Sequence, residues 1–148
     1  MTIFGDGASA TLVATEGFAE IGEVVVGTNG SGAENLIVRS LAARNKALMN
    51  DAQSDEDSNI VSGDHLYMHG GNVFNFTADV VPPMVEALLE KSHLKQDEVD
   101  LWVFHQANKY MINYLRKLLD IDKDKFYIYM QTVGNTVSST IPIALCEA

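Results

Sequence analysis

The chain has 148 residues, of which 47% are hydrophobic and 20% charged, so it is long enough for one domain with a buried core. Twenty acidic against ten basic residues give a net charge of −10, which argues against nucleic acids and anionic membranes as partners. No apolar stretch approaches the ~18 residues of a membrane span, and the opening residues lack the basic region of a signal peptide. A single cysteine excludes a disulfide framework and favours a reducing, cytoplasmic compartment.

The N-terminal quarter of the chain favours two strands followed by a loop. Residues 8–14, Ala-Ser-Ala-Thr-Leu-Val-Ala, favour a strand, and residues 20–28 favour a second one through Ile21 and Val24-Val25-Val26. The Gly-rich residues 27–32 predict a flexible loop.

The next part of the chain is ambiguous. Four residues of 33–50 follow helical spacing: Ile37, Leu41, Arg44 and Leu48. The apolar run 36–38 instead fits a short extended piece, so both interpretations stay open. Residues 51–65 carry five acidic residues and predict a surface loop.

A long helix is predicted over residues 73–92, after a turn at 70–72. Its apolar face comprises Val80, Met84, Val85, Leu88 and Leu89. The pair Pro82-Pro83 is expected to kink this helix or to start its second half, because proline cannot donate a backbone N–H.

The C-terminal third alternates strands and helices. The apolar run 99–104 predicts a strand buried on both faces, and 108–119 predict an amphipathic helix. Residues 126–130 predict another strand, and a loop over 131–136 leads to a last helix that includes 141–148. This alternation is typical of a layered α/β fold, and we find no internal repeat.

Several motifs favour only ordinary structural roles. Residues 5–10 fit the dinucleotide-binding glycine pattern, but no helix is predicted after them. Residues 120–124 begin like a calcium loop but lack the Gly and Glu that such loops need. His65 and His69 lack the Glu of a zinc-protease motif, so no metal site is predicted. Cys146 is expected to be a packing residue.

The sharpest signal is two polar segments, each placed after a predicted strand. His105-Gln106-Ala107-Asn108 follows the first strand and precedes a helix, and Gly134-Asn135-Thr136 follows the second. Each segment alone fits loop and cap chemistry, and Asn108 suits a helix N-cap. Together they predict two hydrogen-bond donors brought to one site by parallel strands.

These segments and others make the sequence resemble the 3-oxoacyl-acyl-carrier-protein synthase III group of thiolase-fold condensing enzymes. The matching pieces are Phe4-Gly5-Asp6-Gly7-Ala8, Met68-His69-Gly70, Val73-Phe74, His105-Gln106-Ala107-Asn108, Gly134-Asn135-Thr136 and Ile141-Pro142-Ile143-Ala144-Leu145. Their order and spacing fit over nearly the whole chain, and the combination is specific although each piece alone is weak.

The resemblance implies an α/β fold of two similar βαβαβαββ halves around an αβαβα layered core. Residues 1–15 would be the last strand region of the N-terminal half. Residues 16–148 would be the C-terminal half, truncated before its final strands. Both ends of the sequence are expected to be cut, because it opens on an apolar strand start and stops within a helix.

The reaction implied by the resemblance is a decarboxylative Claisen condensation. An acyl-CoA acylates a cysteine, and a malonyl thioester on acyl carrier protein loses carbon dioxide and attacks the acyl group. His105 and Asn135 match the two catalytic residues of this half, and Asn108, Phe74 and Gly70 match positions that line the pantetheine tunnel. No cofactor is implied beyond CoA and phosphopantetheine thioesters, which are substrates.

Three positions depart from the family pattern: Gly71, Asn75 and Tyr110. The last two stand where the family carries a Lys and an Arg that help dock the acidic carrier protein. Lys109, Arg116 and Lys117 are expected to replace them in part. Fatty-acid initiation and secondary-metabolite or surface-polysaccharide synthesis therefore both stay open as pathways.

The nucleophilic cysteine of the family lies in the half that this sequence lacks, so the chain alone is expected to be inactive. The complete protein is expected to be a homodimer. Two alternatives stay open. One is an acyltransferase that makes esters or amides without decarboxylation, and the other is a non-catalytic acyl-thioester-binding scaffold.

Overall fold

The computed structural model of the chain describes residues 3–41 and 45–148. The chain divides into two compact units, one formed by Val26–Val80 and the other by the residues up to Val25 together with Val81–Ala148. Within the described ranges, no helix combines the length and the apolar character needed to cross a membrane.

The described residues form three α-helices, and all three were predicted. They are α1 (Gly70–Ser92), α2 (Lys109–Leu118) and α3 (Thr140–Glu147). Helix α1 begins earlier than predicted, because it includes the glycines expected to form a turn. It continues through Pro82 and Pro83 as one helix, although neither proline can donate a backbone hydrogen bond. Short 3₁₀ turns lie at Gly30–Asn35, Gln96–Glu98, Lys123–Lys125 and Val137–Ser139.

Four short strands lie in the unit Val26–Val80 and pair antiparallel. Strand β1 (Leu36–Ile37) pairs with β4 (Tyr67–Met68), with Leu36 opposite Met68. Strand β2 (Gln53–Ser54) pairs with β3 (Ile60–Val61), with Gln53 opposite Val61. The extended interpretation of residues 36–38 is thus confirmed at Leu36–Ile37.

The helix expected within 33–50 does not form in the described part of that range, and Arg44 lies outside the described residues. The acidic stretch 51–65 is a hairpin rather than a plain loop. Its turn is closed by Asp55, whose carboxylate accepts from the backbone N–H groups of Asp57 and Asn59 at 3.0 and 2.8 Å. A short carboxylate that bonds the backbone two to four residues further on is a strong turn former.

The hydrophobic core of the other unit lies between α2 and two extended segments. Ile112, Ile121 and Phe126 are buried at its centre. Five partly buried side chains pack around them: Trp102, Phe104, Leu119, Ile128 and Met130. The apolar face predicted for α2 is confirmed, because its Met111, Ile112 and Leu115 are buried.

The predicted strands of this unit are only partly formed. Trp102 and Phe126 make a parallel bridge, in which Trp102 N–H donates to the Lys125 carbonyl and Tyr127 N–H to the Trp102 carbonyl. The expectation that 99–104 is buried on both faces is wrong, since Leu101 is 42% exposed. Residues 8–14 and 20–28 show no strand, because a strand is stable only where a neighbour takes its backbone hydrogen bonds.

Candidate active site

The segment 105–108 is fixed to the parallel pair by the side chain of Gln106, which is completely buried. Its amide Nε2 donates to the Phe104 carbonyl at 2.8 Å, and its Oε1 accepts from Tyr129 N–H at 2.8 Å. The side chain thus continues, with its own amide, the pairing that Trp102 and Phe126 begin. This places His105 at a defined point after the extended segment.

Asn108 is the N-cap of α2, as predicted. Its backbone is extended, and its Oδ1 accepts from the N–H of Met111 at 2.9 Å. A cap of this kind satisfies one of the unpaired N–H groups at a helix start. The cap uses Oδ1 of Asn108 and leaves its amide nitrogen free of this role.

The second polar segment turns sharply before Asn135. Gly134 has φ +65°, in the left-handed region that glycine enters without strain. Asn135 then pairs in parallel with Phe4. Its N–H donates to the Ile3 carbonyl at 3.1 Å, and its carbonyl accepts from Gly5 N–H at 2.9 Å.

The glycine motif at the start of the chain packs on this segment. A Cβ on Gly5 would collide with the Val133 carbonyl oxygen, and a Cβ on Gly7 would come within 2.7 Å of the Thr136 side chain. Both glycines are therefore needed for this close approach, and no helix follows the motif, as the sequence predicted.

A short turn, Val137–Thr140, connects the two candidate catalytic side chains. The Oδ1 of Asn135 accepts from Val137 N–H at 2.9 Å. On the other side, Nδ1 of His105 lies 2.7 Å from the hydroxyl of Thr140, and that hydroxyl lies 2.9 Å from the Val137 carbonyl. Both predicted donors, His105 and Asn135, are thus oriented by the same four residues.

Val137 holds this turn in a strained conformation. Its φ is +55°, which is rare for a β-branched residue. Strain of this kind persists only where surrounding contacts impose it, and it is concentrated at functional sites. Here the N–H of Val137 faces Asn135 and its carbonyl faces Thr140.

The electrostatics of the site favour a neutral His105. Partial burial of the ring disfavours its charged form and lowers the pKa of His105, and a hydrogen bond with the Val137 backbone opposes this only in part. A neutral imidazole offers one N–H donor and one acceptor nitrogen.

The other predicted site residues lie on the helices. Gly70 begins α1, and Phe74 lies one turn further along it. Lys109 and Lys117 are exposed on α2, whereas Arg116 donates from Nη1 to the Ile121 carbonyl at 3.0 Å and so closes the loop after the helix.

Sequence reasoning missed three residues that build the site. Gln106 was seen only as part of a polar motif, because its bonding partner Tyr129 is 23 residues away. Thr140 carried a detectable signal, a hydroxyl residue five positions after Asn135 at the start of a predicted helix. The left-handed conformation of Val137 had no signal, since valine normally avoids it.

The fold is similar to that of solved 3-oxoacyl-(acyl-carrier-protein) synthases. A 2.1 Å crystal structure of 3-oxoacyl-(acyl-carrier-protein) synthase III matches with a TM-score of 0.78 at 38% identity, over 87% of this chain and 41% of that one. The 3-oxoacyl-(acyl-carrier protein) synthase of Burkholderia xenovorans matches with a TM-score of 0.68 at 33% identity, over 80% of this chain and 33% of that one.

The sequence comparisons agree with the structural ones. Residues 89–148 match the family model described as 3-oxoacyl-[acyl-carrier-protein (ACP)] synthase III C terminal. Beta-ketoacyl-[acyl-carrier-protein] synthase III of Clostridium perfringens is 35% identical over 147 residues, 99% of this chain and 43% of that protein. The synthase of Lactococcus lactis is 33% identical over 99% of this chain and 42% of that protein.

The predicted resemblance to the 3-oxoacyl-[acyl-carrier-protein] synthase III family and the predicted thiolase-type α/β fold are therefore both confirmed. The chain spans less than half the length of the curated relatives that it matches.

Proposed function

We propose that the complete protein containing this sequence is an acyltransferase that condenses an acyl group from acyl-CoA with a malonyl thioester carried by acyl carrier protein. The acyl group is first transferred to a cysteine thiolate outside this sequence, and CoA leaves. The C–C bond to the malonyl carboxylate then breaks, carbon dioxide leaves, and the electron pair remains as an enolate. The enolate carbon attacks the acyl carbonyl, a C–C bond forms, and the cysteine thiolate is released.

The arrangement of Asn135 is the observation that supports this proposal most. Because an N–H can donate only to the oxygen of an amide, the bond from Val137 N–H fixes which end of the side chain is Oδ1. The amide NH₂ is therefore held as the other end, in a position to donate. An amide does not titrate, so this donor is available at every pH.

His105 supplies the second donor in this proposal. Its Nδ1 faces Thr140, which leaves Nε2 for the substrate. The lowered pKa keeps the ring neutral near pH 7, so a donated Nε2–H stabilises the enolate oxygen without transferring its proton. Two preorganised donors of this kind are often worth ~3–4 kcal/mol each to the transition state.

The substrate and carrier contacts are also proposals. Gly70 and Phe74 at the start of α1, and the amide nitrogen of Asn108, would line the pantetheine path. Exposed Lys109 and Lys117 suit an acidic carrier protein, whereas the Arg116 guanidinium is already bonded within its own loop. We further propose a cytoplasmic homodimer, with residues 1–15 completing the N-terminal half of each fold. Cys146 is exposed on α3 and is not proposed as the nucleophile.

The test uses His105→Ala and Asn135→Ala, each made in the complete protein. Release of labelled carbon dioxide from malonyl-acyl carrier protein is expected to fall by about 10²–10³ in each, whereas acylation of the cysteine stays close to wild type. Asn113→Ala is the matched control, because the Asn113 amide donates to the Lys109 carbonyl within α2 at 2.8 Å.

Two outcomes would contradict the proposal. Loss of acylation with decarboxylation retained would assign the residue to activation of the nucleophile. Transfer of acyl groups to alcohols or amines with no carbon dioxide release would instead indicate a non-decarboxylating acyltransferase.

A further inference from the structure

Thr140 lies at the start of α3 with only 2% of its surface exposed. Its hydroxyl oxygen is 2.7 Å from Nδ1 of His105 and 2.9 Å from the carbonyl oxygen of Val137. A hydroxyl carries one proton, so it can donate to only one of these two acceptors at a time. Because the hydroxyl is buried, bulk water is not in a position to replace whichever partner it leaves.

The position of this one proton determines which nitrogen of a neutral His105 carries the ring proton. If Thr140 donates to the Val137 carbonyl, its oxygen accepts from an Nδ1–H, and Nε2 is left without a proton. If Thr140 donates to Nδ1, the ring proton must be on Nε2. Only the second arrangement gives a neutral ring that donates towards an oxyanion at Nε2.

We propose that Thr140 is the positioning residue of His105, with a hydroxyl that turns from the Val137 carbonyl to Nδ1 and thereby selects the Nε2–H form. The catalytic consequence rests on the proposed function, whereas the control of the ring proton does not. The strained turn at Val137 supports this role, because its conformation places the second acceptor within reach of the same hydroxyl.

The same turn connects this switch to Asn135. The N–H of Val137 donates to Oδ1 of Asn135, and the carbonyl of Val137 accepts from the Thr140 hydroxyl. When the Thr140 hydroxyl turns to Nδ1, Val137 keeps its bond to Asn135. The amide donor therefore stays in place whichever way the hydroxyl points.

The test compares Thr140→Val, Thr140→Ser and Thr77→Val in the complete protein labelled with ¹⁵N-histidine. Valine keeps the shape of threonine without the hydroxyl, and serine keeps the hydroxyl. Thr77→Val is the matched control, because the Thr77 hydroxyl donates to the Val73 carbonyl within α1 at 2.8 Å. Long-range ¹H–¹⁵N spectra report which nitrogen carries the proton, and the His105 signal is identified by its absence in His105→Gln.

We expect the wild type, Thr140→Ser and Thr77→Val to show His105 protonated at Nε2, and Thr140→Val to lose this preference. Carbon dioxide release should fall about 3- to 10-fold in kcat in Thr140→Val, as for one lost hydrogen bond, with KM unchanged and recovery in Thr140→Ser. A His105 ring that stays protonated at Nε2 in Thr140→Val would overturn the inference. Equal losses of carbon dioxide release in Thr140→Val and Thr140→Ser would also overturn it. Failure of the proposed function is distinguishable, because it would appear as full decarboxylation in His105→Ala whatever the spectra show.

Discussion

His105 is the residue of the site whose charge can change near neutral pH. Partial burial opposes its protonation, and the hydrogen bond with the Val137 backbone offsets this only in part. The pKa of His105 is therefore lower in the folded chain than in the unfolded chain, where it has the ordinary value of about 6.5. Between these two pKa values the unfolded state binds the proton and the folded state does not.

This difference sets a pH dependence of stability. The free energy of unfolding should be constant above about pH 6.5 as far as His105 is concerned, and should fall as pH decreases through the window below 6.5. His105→Gln removes this contribution. The difference in free energy of unfolding between wild type and variant should therefore change with pH only within that window. Denaturant unfolding at a series of pH values, with NMR titration of the ring, measures both. A His105 titration midpoint at or above 6.5 would show that burial is not the dominant effect.

The roles of individual residues were predictable from sequence where the chemistry is local. Asn108 could be predicted as a cap because the helix that it caps begins one residue later. Gln106 and Thr140 act through partners 23 and 35 residues away. Which side chains meet across such distances is decided by tertiary packing, which residue type alone does not specify.

At the scale of one element, the side chain of Asn108 both ends the segment after His105 and caps α2. Asn108 ends the segment that carries His105 and begins the helix, and its Oδ1 satisfies Met111 N–H. The helix ends with Arg116 and Lys117, whose positive charges are favourable near a helix C-terminus. The cap therefore fixes where the helix starts, and with it the path of the chain after His105.

Substitutions at Asn108 should separate capping from substrate binding. Asn108→Ala is expected to lower the free energy of unfolding by about 1 kcal/mol, whereas Asn108→Ser, an equally good cap, should leave it nearly unchanged. If the amide also lines the pantetheine path, Asn108→Ser should still raise KM for the carrier-bound substrate. Chemical denaturation and steady-state kinetics of the two variants in the complete protein measure these effects. Equal stability of the Ala and Ser variants would contradict the capping role.

Helices were predicted better than strands for a physical reason. A helix satisfies its backbone hydrogen bonds within one segment, so the spacing of apolar residues in 108–119 was sufficient. A strand needs a neighbouring strand to take its backbone hydrogen bonds. The composition of 8–14 or 20–28 indicates a preference for extended backbone but does not indicate which segment pairs with it. The parallel pairing of Trp102 with Phe126 formed because α2 connects them and packs Ile112 against Phe126.

At the scale of the whole molecule, the described residues expose many large apolar side chains. The most exposed among the N-terminal segments are Leu12 at 91%, Phe18 at 107% and Val26 at 85%. Leu12 and Val26 belong to the two stretches that favour strands but form none in the described residues, and Phe18 lies between those stretches. The relatives are more than twice as long as this chain, as its 42–43% coverage of them shows. We therefore expect additional chain to cover these residues in the complete protein.

The 148-residue chain on its own should accordingly self-associate and bind an apolar dye, because exposed apolar surface and unpaired extended backbone both recruit partners. The double variant Leu12→Ser with Phe18→Ser should reduce both properties, since it removes the two most exposed side chains without touching the core around Ile112. Thr11→Ser with Ala19→Ser is the matched control, placed beside the same positions but removing little apolar surface. Sedimentation velocity and dye fluorescence, compared with the complete protein, measure the effect. A monomer that does not increase the dye fluorescence would show that these side chains are covered within the chain itself. The segments 8–14 and 20–28 would then have to pair with other segments of the 148 residues.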